Sequence, residues 1–353
     1  MEKTTDDQVA KFFISALGLI AIFIVLKELQ HIFIPFVLAY FLFFVFQPFN
    51  NFCIKKRIPY GITIAIDLII VIIFLWGLSK IIIVSFEEFN SAFPVYEDRL
   101  NNIIYSTAKS FGITESTVSN FNLLIYLRET LDVGGLAGGF FSSTLSFFSI
   151  VFFVLFFYIF ISTGHNKVIE AFKARFAEEE ESTDIEHKTP SYLERTIQDI
   201  PEKIQKYIVT KFFMSLLTSL SVGLILWLFD VDFWVVWMVL TFLFNFIPNI
   251  GSVLAVIFPF LIALIQFQSF GYAILIGGLL ALIQNIYGSI LEPKIMGDKL
   301  GLNPLVILLS LLLWGYVWGL VGMFLSVPIT AVIKILISES KSENLKLLNN
   351  LMG

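Results

Sequence analysis

From Phe233 to Gln266 the chain runs 34 residues without a charged side chain, and inside that run stand Asn245, Pro248, Asn249, Gly251 and Ser252. As one straight helix the run would be about 51 Å long at about 1.5 Å per residue. A hydrocarbon core is only about 30 Å thick, and modest tilt does not absorb the excess. Pro248 removes a backbone donor and clashes with the turn before it, so no smooth helix passes this point. In lipid the freed backbone groups have no water to bond. Irregular backbone survives there only inside protein or against a wet cavity. The run therefore predicts a helix broken at a point that carries amides and glycine, the pattern of a solute path. A second run, 303–337, is of similar length and carries one charge, Lys334. Its interruption is W-G-Y-V-W-G-L-V-G, from Trp314 to Gly322, followed by Pro328.

Blocks of this kind dominate the composition. The chain is 57% hydrophobic and 14% charged, where a soluble domain carries roughly a quarter charged residues. Six further blocks have the length of a membrane span: Lys11–Leu26, Ile32–Phe49, Gly61–Val84, Phe140–Ser162, Tyr207–Phe229 and Gly271–Leu291. The expected fold is an all-α, polytopic integral membrane protein. It has six full spans plus two broken, re-entrant hairpins, with eight simple spans as the alternative. The first block has no small-residue cleavage site after it and reads as a retained helix. The lone cysteine, Cys53, excludes an internal disulfide.

Charge sets the expected topology. Lys55, Lys56 and Arg57 have no acid beside them and mark a cytoplasmic turn, which puts both termini in the cytoplasm. Residues 1–84 then hold three spans. Residues 85–138 are an external segment in which acids outnumber bases, with amphipathic helices expected over Phe93–Phe111 and Asn120–Leu131 and a Gly134–Gly139 hinge. The fourth span occupies 139–162 and a polar cytoplasmic loop 163–205. The transport core occupies 206–337 and a cytoplasmic tail 338–353. Within the core, a span plus a broken segment occurs twice. If both broken segments are hairpins, the two copies are inverted, as in many transporters whose interrupted segments mark the binding site.

Nothing in the chain reads as catalytic, so no enzyme activity is expected. His31, His165 and His187 are scattered at loops and span ends and suggest no metal site. No phosphate-binding glycine loop followed by Lys-Ser/Thr is present, so transport would be secondary and without a cofactor. No basic stripe supports nucleic-acid binding. The expected partners are membrane lipids and a small polar solute, with proton or sodium coupling.

The candidate path residues have bland readings beside the functional ones. Asn245 and Asn249 flank Pro248; their amides either hydrogen-bond a ligand or cap the broken helix ends. Gly251 and Ser252 open the second half-helix, whose positive dipole end suits a ligand oxygen. Gln284 and Asn285 lie in an otherwise apolar span, as an interhelical contact or a path lining. Trp314 and Trp318 share a helical face and serve an aromatic belt or a ligand stack, while Gly315, Gly319 and Gly322 permit close approach. Asp67 is an acid inside an early span and a candidate for ion coupling. Pairing with Lys55, Lys56 or Arg57 is its alternative. Glu292 either carries a coupling proton or pairs with Lys294 or Lys299.

Three stretches carry a resemblance: N-F-I-P-N-I-G-S at Asn245–Ser252, L-E-P-K-I-M-G-D-K-L-G-L-N-P-L at Leu291–Leu305, and W-G-L-V-G-M-F-L-S-V-P at Trp318–Pro328. With K-Y-I-V-T-K at Lys206–Lys211, the chain resembles the autoinducer-2 exporter family. The resemblance implies a multi-pass, homo-oligomeric inner-membrane permease. Members of that family are described as exporting the furanone signal autoinducer-2, and some as sodium/proton antiporters. A cysteine at Lys299 tests the topology: it should react with an impermeant maleimide only from the cytoplasmic side. Labelling only from outside would favour eight spans.

Overall fold

The computed structural model describes residues 5–110, 148–165, 192–296 and 301–338, together with Lys167 and Met352. All regular structure among them is helical. α1 (Thr5–Glu28), α2 (Gln30–Lys55) and α3 (Tyr60–Ser110) are followed by α4 (Phe148–His165). Next come α5 (Tyr192–Leu228), α6 (Trp234–Phe244), α7 (Ile250–Phe267) and α8 (Phe270–Gln284). A π-helical segment, Asn285–Leu291, leads into the short α9 (Glu292–Met296), and α10 covers Pro304–Ser338.

Seven stretches among the described residues are long and apolar enough to cross a membrane: Gln30–Lys55, Tyr60–Phe89, Phe148–His165, Lys203–Leu228, Ile250–Phe267, Phe270–Ile295 and Pro304–Ile335. Helix is the form such sequences require, because it satisfies every backbone group within the segment. Large side chains such as Trp76, Phe152 and Leu228 are exposed on the outer faces. That suits a hydrocarbon solvent and would be a liability in water. The chain is a polytopic all-α membrane protein. α6, with 11 residues, is about 16 Å long and too short to cross.

Several boundaries differ from expectation. The third span and the amphipathic helix expected over Phe93–Phe111 form one continuous element: α3 has 51 residues and contains Pro94. Its helical spacing of apolar residues persists past Val84, through Phe89, Phe93 and Tyr96, so no break in pattern ends the helix. α5 likewise begins at Tyr192, inside the stretch expected as polar loop. The Gly134–Gly139 hinge, the Asn120–Leu131 helix, the first residues of the expected fourth span and residues 168–191 lie outside the described residues.

The chain divides into two compact units. One comprises 1–48, 149–205 and 300–353; the other comprises 49–148 and 206–299. In the first, Trp314, Val317, Trp318 and Leu325 of α10 form a buried cluster against Phe23 and Leu26 of α1 and Phe33 and Phe41 of α2. In the second, Val222 and Leu226 of α5, Val231, Ala263 of α7, and Ile276 and Leu280 of α8 form a core with each residue at most 1% exposed. Ala263 is the small member that lets α7 sit against α5 and α8. Ala263→Leu is expected to destabilise the protein by about 1–3 kcal/mol through overpacking, read as a lower thermal midpoint in detergent.

Candidate functional site

Each of the two long apolar runs folds back on itself. In the first, α6 ends at Phe244, and the chain turns through Asn245–Asn249 before α7 begins. Asn245, Phe246 and Ile247 donate to Thr241, Leu243 and Phe244 carbonyls, tightening the last turn of α6. Ile250 and Gly251 then donate to Pro248 and Ile247. Pro248 forces the stop, because it has no N–H to continue the ladder. The two legs meet along their length. The Trp237 and Phe258 rings stack at 6.1 Å. At the base, the Gln266 amide donates to the Asp230 carbonyl (2.7 Å) and accepts from the Asp232 N–H (2.8 Å). Residues at the two ends of the uncharged run therefore touch, and a straight helix or two separated spans is ruled out for this segment.

The base is held from α3. Arg99 donates to the Gln266 carbonyl at 2.9 Å, and the Tyr96 hydroxyl donates to the Asp232 carboxylate at 2.5 Å. Burial first, and then the bond to Asp232, push the Tyr96 hydroxyl above its ordinary value, so it remains a donor at neutral pH. Phe233 occupies a left-handed conformation, with φ at 59°, costly for a bulky residue. Its ring is held by Phe89 and Tyr96 at 5.9 and 6.1 Å.

The second run repeats the device inside the other unit. α10 is broken at Trp318 and Gly319, where φ is 61° at the glycine. Ser310 donates to the Ser326 carbonyl at 3.0 Å and is hydrogen-bonded to Thr330. Near the open end, Lys334 donates to the Gly301 carbonyl. These pairs straddle Trp318–Gly319 symmetrically, as an antiparallel hairpin requires. Each run therefore folds back on itself, and neither continues as one tilted or kinked helix.

Both turns depend on a glycine just past the break. A Cβ on Gly251 would lie 1.7 Å from the Phe244 carbonyl oxygen, and a Cβ on Gly322 would lie 1.9 Å from the Trp314 carbonyl oxygen. Neither position has room for any side chain. Gly315 is tight as well: its added Cβ would meet the Met323 methyl at 2.9 Å.

The predicted path residues are thus divided between structural and free roles. The Trp318 indole donates to the Leu26 carbonyl at 2.9 Å, one of the orphan carbonyls in the last turn of α1. Trp314 packs edge-on against Phe23, and Lys27 lies over the Tyr316 ring at 3.9 Å. Both tryptophans are buried and engaged by the protein. Asn249 is the N-cap of α7 but makes no side-chain capping bond, and it is exposed. Asn245 is half-buried, and its cap bonds come from the backbone. The two amides therefore do not serve as caps. Ser252 donates back to the Asn249 carbonyl at 2.9 Å.

Gln284 is buried, and its amide nitrogen has no protein partner. Asn285 faces outward and bonds the Ala281 carbonyl at 3.1 Å. Glu292 pairs with Lys211 of α5 at 2.6 Å and not with the expected Lys294; Lys299, the other expected partner, lies outside the described residues. The π segment has turned Glu292 toward α5, and it also brings the Tyr287 hydroxyl to 3.1 Å from Ser221. Asp67 is fully buried and accepts from Asn50 of α2 at 2.8 Å. Lys55, Lys56 and Arg57, the pairing expected as its alternative, are exposed. Among the described residues no group of His, Cys, Asp and Glu is placed to hold a metal.

Sequence reasoning missed Tyr96, Arg99 and Gln266 at the hairpin base. It also missed Ser215, Thr218 and Ser219, three buried hydroxyls on α5 whose spacing already marks one helix face. The family model described as AI-2E family transporter matches residues 12–342. The chain belongs to the AI-2E family. It is 31% identical over 333 residues to a Haemophilus influenzae protein, covering 92% of each chain. It is 30% identical over 317 residues to YhhT of Escherichia coli K12, covering 88% of this chain and 85% of that one. Both carry names that propose transport and specify no substrate. AI-2 transport protein TqsA of Escherichia coli K12 is 29% identical over 325 residues, covering 92% of this chain and 91% of its own.

The two glycine contacts make a stability test. Gly251→Ala and Gly322→Ala should each destabilise the protein by about 3 kcal/mol or more, because backbone must move. Gly288→Ala meets nothing within 4 Å and should be neutral or mildly stabilising. Thermal unfolding in detergent compares the three; equal midpoints would show that the turns tolerate a Cβ.

Proposed function

We propose that this AI-2E member is a secondary permease that moves a small polar solute outward across the bacterial inner membrane by alternating access. The observation that carries the reading is the pair of closed, broken hairpins. Each places irregular backbone within an apolar run, which a membrane protein tolerates where that backbone is buried or lines a cavity. The inverted relation of the two span-plus-hairpin repeats and a homo-oligomeric assembly belong to the same proposal. An autoinducer-2-like signal is the favoured cargo, on the strength of the relative named AI-2 transport protein. The exposed, uncapped Asn249 and the half-buried Asn245 at the first turn supply hydrogen-bonding amides of the kind such a solute needs.

A second reading, cation/proton antiport, rests on Asp67. A fully buried carboxyl held by an Asn50 amide is costly in an apolar layer and is a functional candidate on that ground.

Proteoliposomes separate the two. Vesicles loaded with labelled autoinducer-2 should empty faster than protein-free ones, and Asp67→Asn should leave that efflux within about a factor of three. If no efflux occurs under any ion gradient, and a sodium pulse collapses an imposed pH gradient in a manner lost in Asp67→Asn, antiport replaces export.

A further inference from the structure

On α5, α6 and α8, the helices around the first hairpin, four buried polar atoms have no protein hydrogen-bond partner: Ser215 Oγ on α5, Trp237 Nε1 and Thr241 Oγ1 on α6, and Gln284 Nε2 on α8. Side-chain contacts place these helices side by side. Against α6, Gly223 of α5 faces Met238 and Phe212 packs on Phe242, so Thr241 lies along the stretch of α5 between Phe212 and Gly223 that carries Ser215. Trp237 is one turn before Thr241 on the same face. Against α8, Val222 shares a core with Leu280 and Lys211 pairs with Glu292. Those two contacts bracket Gln284 and set it near Ser219, one turn from Ser215. The four groups therefore line one stretch of these three helices below the turn at Asn245–Asn249. On one side of it lies the dry core of Val222, Leu226 and Leu280, against which the Trp237 ring packs. On the other, one turn from Ser215, lies the Lys211–Glu292 pair, which is internally neutralised.

The chemistry of the layer selects its occupant. An indole N–H can only donate, and an amide always keeps a donor, whereas the two hydroxyls both donate and accept. Ser219 and Thr218 already donate to backbone carbonyls in their own helix and retain lone pairs. A hard cation needs a shell of oxygen acceptors and is opposed by fixed N–H donors. An uncharged molecule bearing hydroxyl and carbonyl oxygens satisfies every member. Buried polar groups without partners cost stability, and such costs concentrate where a site is kept for function.

We propose that Ser215, Trp237, Thr241 and Gln284 form a binding layer for an uncharged, oxygen-rich solute. The proposal rests on the permease reading and gives it a site distinct from the hairpin tip. Each orphan group would meet a hydroxyl or carbonyl oxygen of the cargo.

Two measurements on the full chain in proteoliposomes test it. In a Cys53→Ala background, Ser215→Cys and Thr241→Cys should react with N-ethylmaleimide about tenfold faster than Val222→Cys in the dry core, the contrast between a solvated and a packed position. Ribose, a neutral polyol, should slow that reaction, and sodium chloride or choline chloride at equal osmolarity should not. Equal rates at all three positions, protection by neither ribose nor labelled autoinducer-2, or protection by sodium would each overturn the layer as a polyol site. The second measurement uses Thr241→Val and Gln284→Leu, which remove the orphan groups at nearly constant shape. Each should lower autoinducer-2 efflux about tenfold while leaving the thermal midpoint unchanged or higher, as loss of one hydrogen bond to cargo implies. Unchanged efflux would make the layer interhelical packing only. If the wild type moves no solute, the permease reading falls by itself, and the labelling and protection arms still decide the layer.

Discussion

A helix that stops inside an apolar layer leaves carbonyls and amides that water cannot reach, and the rest of this molecule is arranged around meeting that demand. Both stops are handled in one way. The chain reverses, and a glycine immediately after the break lets a carbonyl of the opposite leg approach to a distance no Cβ permits: Gly251 under Phe244, Gly322 under Trp314. The remaining bonds follow from that reversal. Gln266 reaches Asp230 and Asp232 only because the legs are antiparallel, and Ser310 reaches Ser326 for the same reason. Remote side chains complete the satisfaction, as when the Trp318 indole takes up an end carbonyl of α1.

What was legible in the sequence was what depends on length and local chemistry. An uncharged run too long for one crossing and a proline near its middle were enough to place the first turn within a residue or two. The second turn was placed by glycine and tryptophan spacing. Asp67 announced itself as an acid among aliphatics. What escaped is what depends on partners distant along the chain. Nothing near Glu292 says that Lys211, 81 residues earlier, will pair with it. Nothing near Tyr96 points to Asp232, 136 residues later. The continuity of α3 past Val84 escaped for another reason: polarity rises there, and polarity was read as a boundary, although the helical spacing persists. The hydroxyls of α5 stand at i, i+3 and i+4 and were not singled out, because the block around them was read only as a span.

The two hairpins also differ in a way that bears on function. In the second, the aromatic residues at the turn are consumed by contacts to α1, so its turn is tied down. In the first, the turn amides carry no capping duty, and beneath them lie polar groups the protein leaves unmatched. The first hairpin and the helices that flank it are therefore where the protein leaves polar groups unmatched.

α3 joins the buried Asp67–Asn50 pair to the Arg99 and Tyr96 anchors in one unbroken helix. Those points are 32 residues apart in the sequence, about 48 Å along the axis. A rod of that kind cannot absorb relative displacement in a loop. Its single interior proline, Pro94, confines any flexure to the turn just before Tyr96, so Asp67 and the foot of the first hairpin are carried on one element with no loop between them.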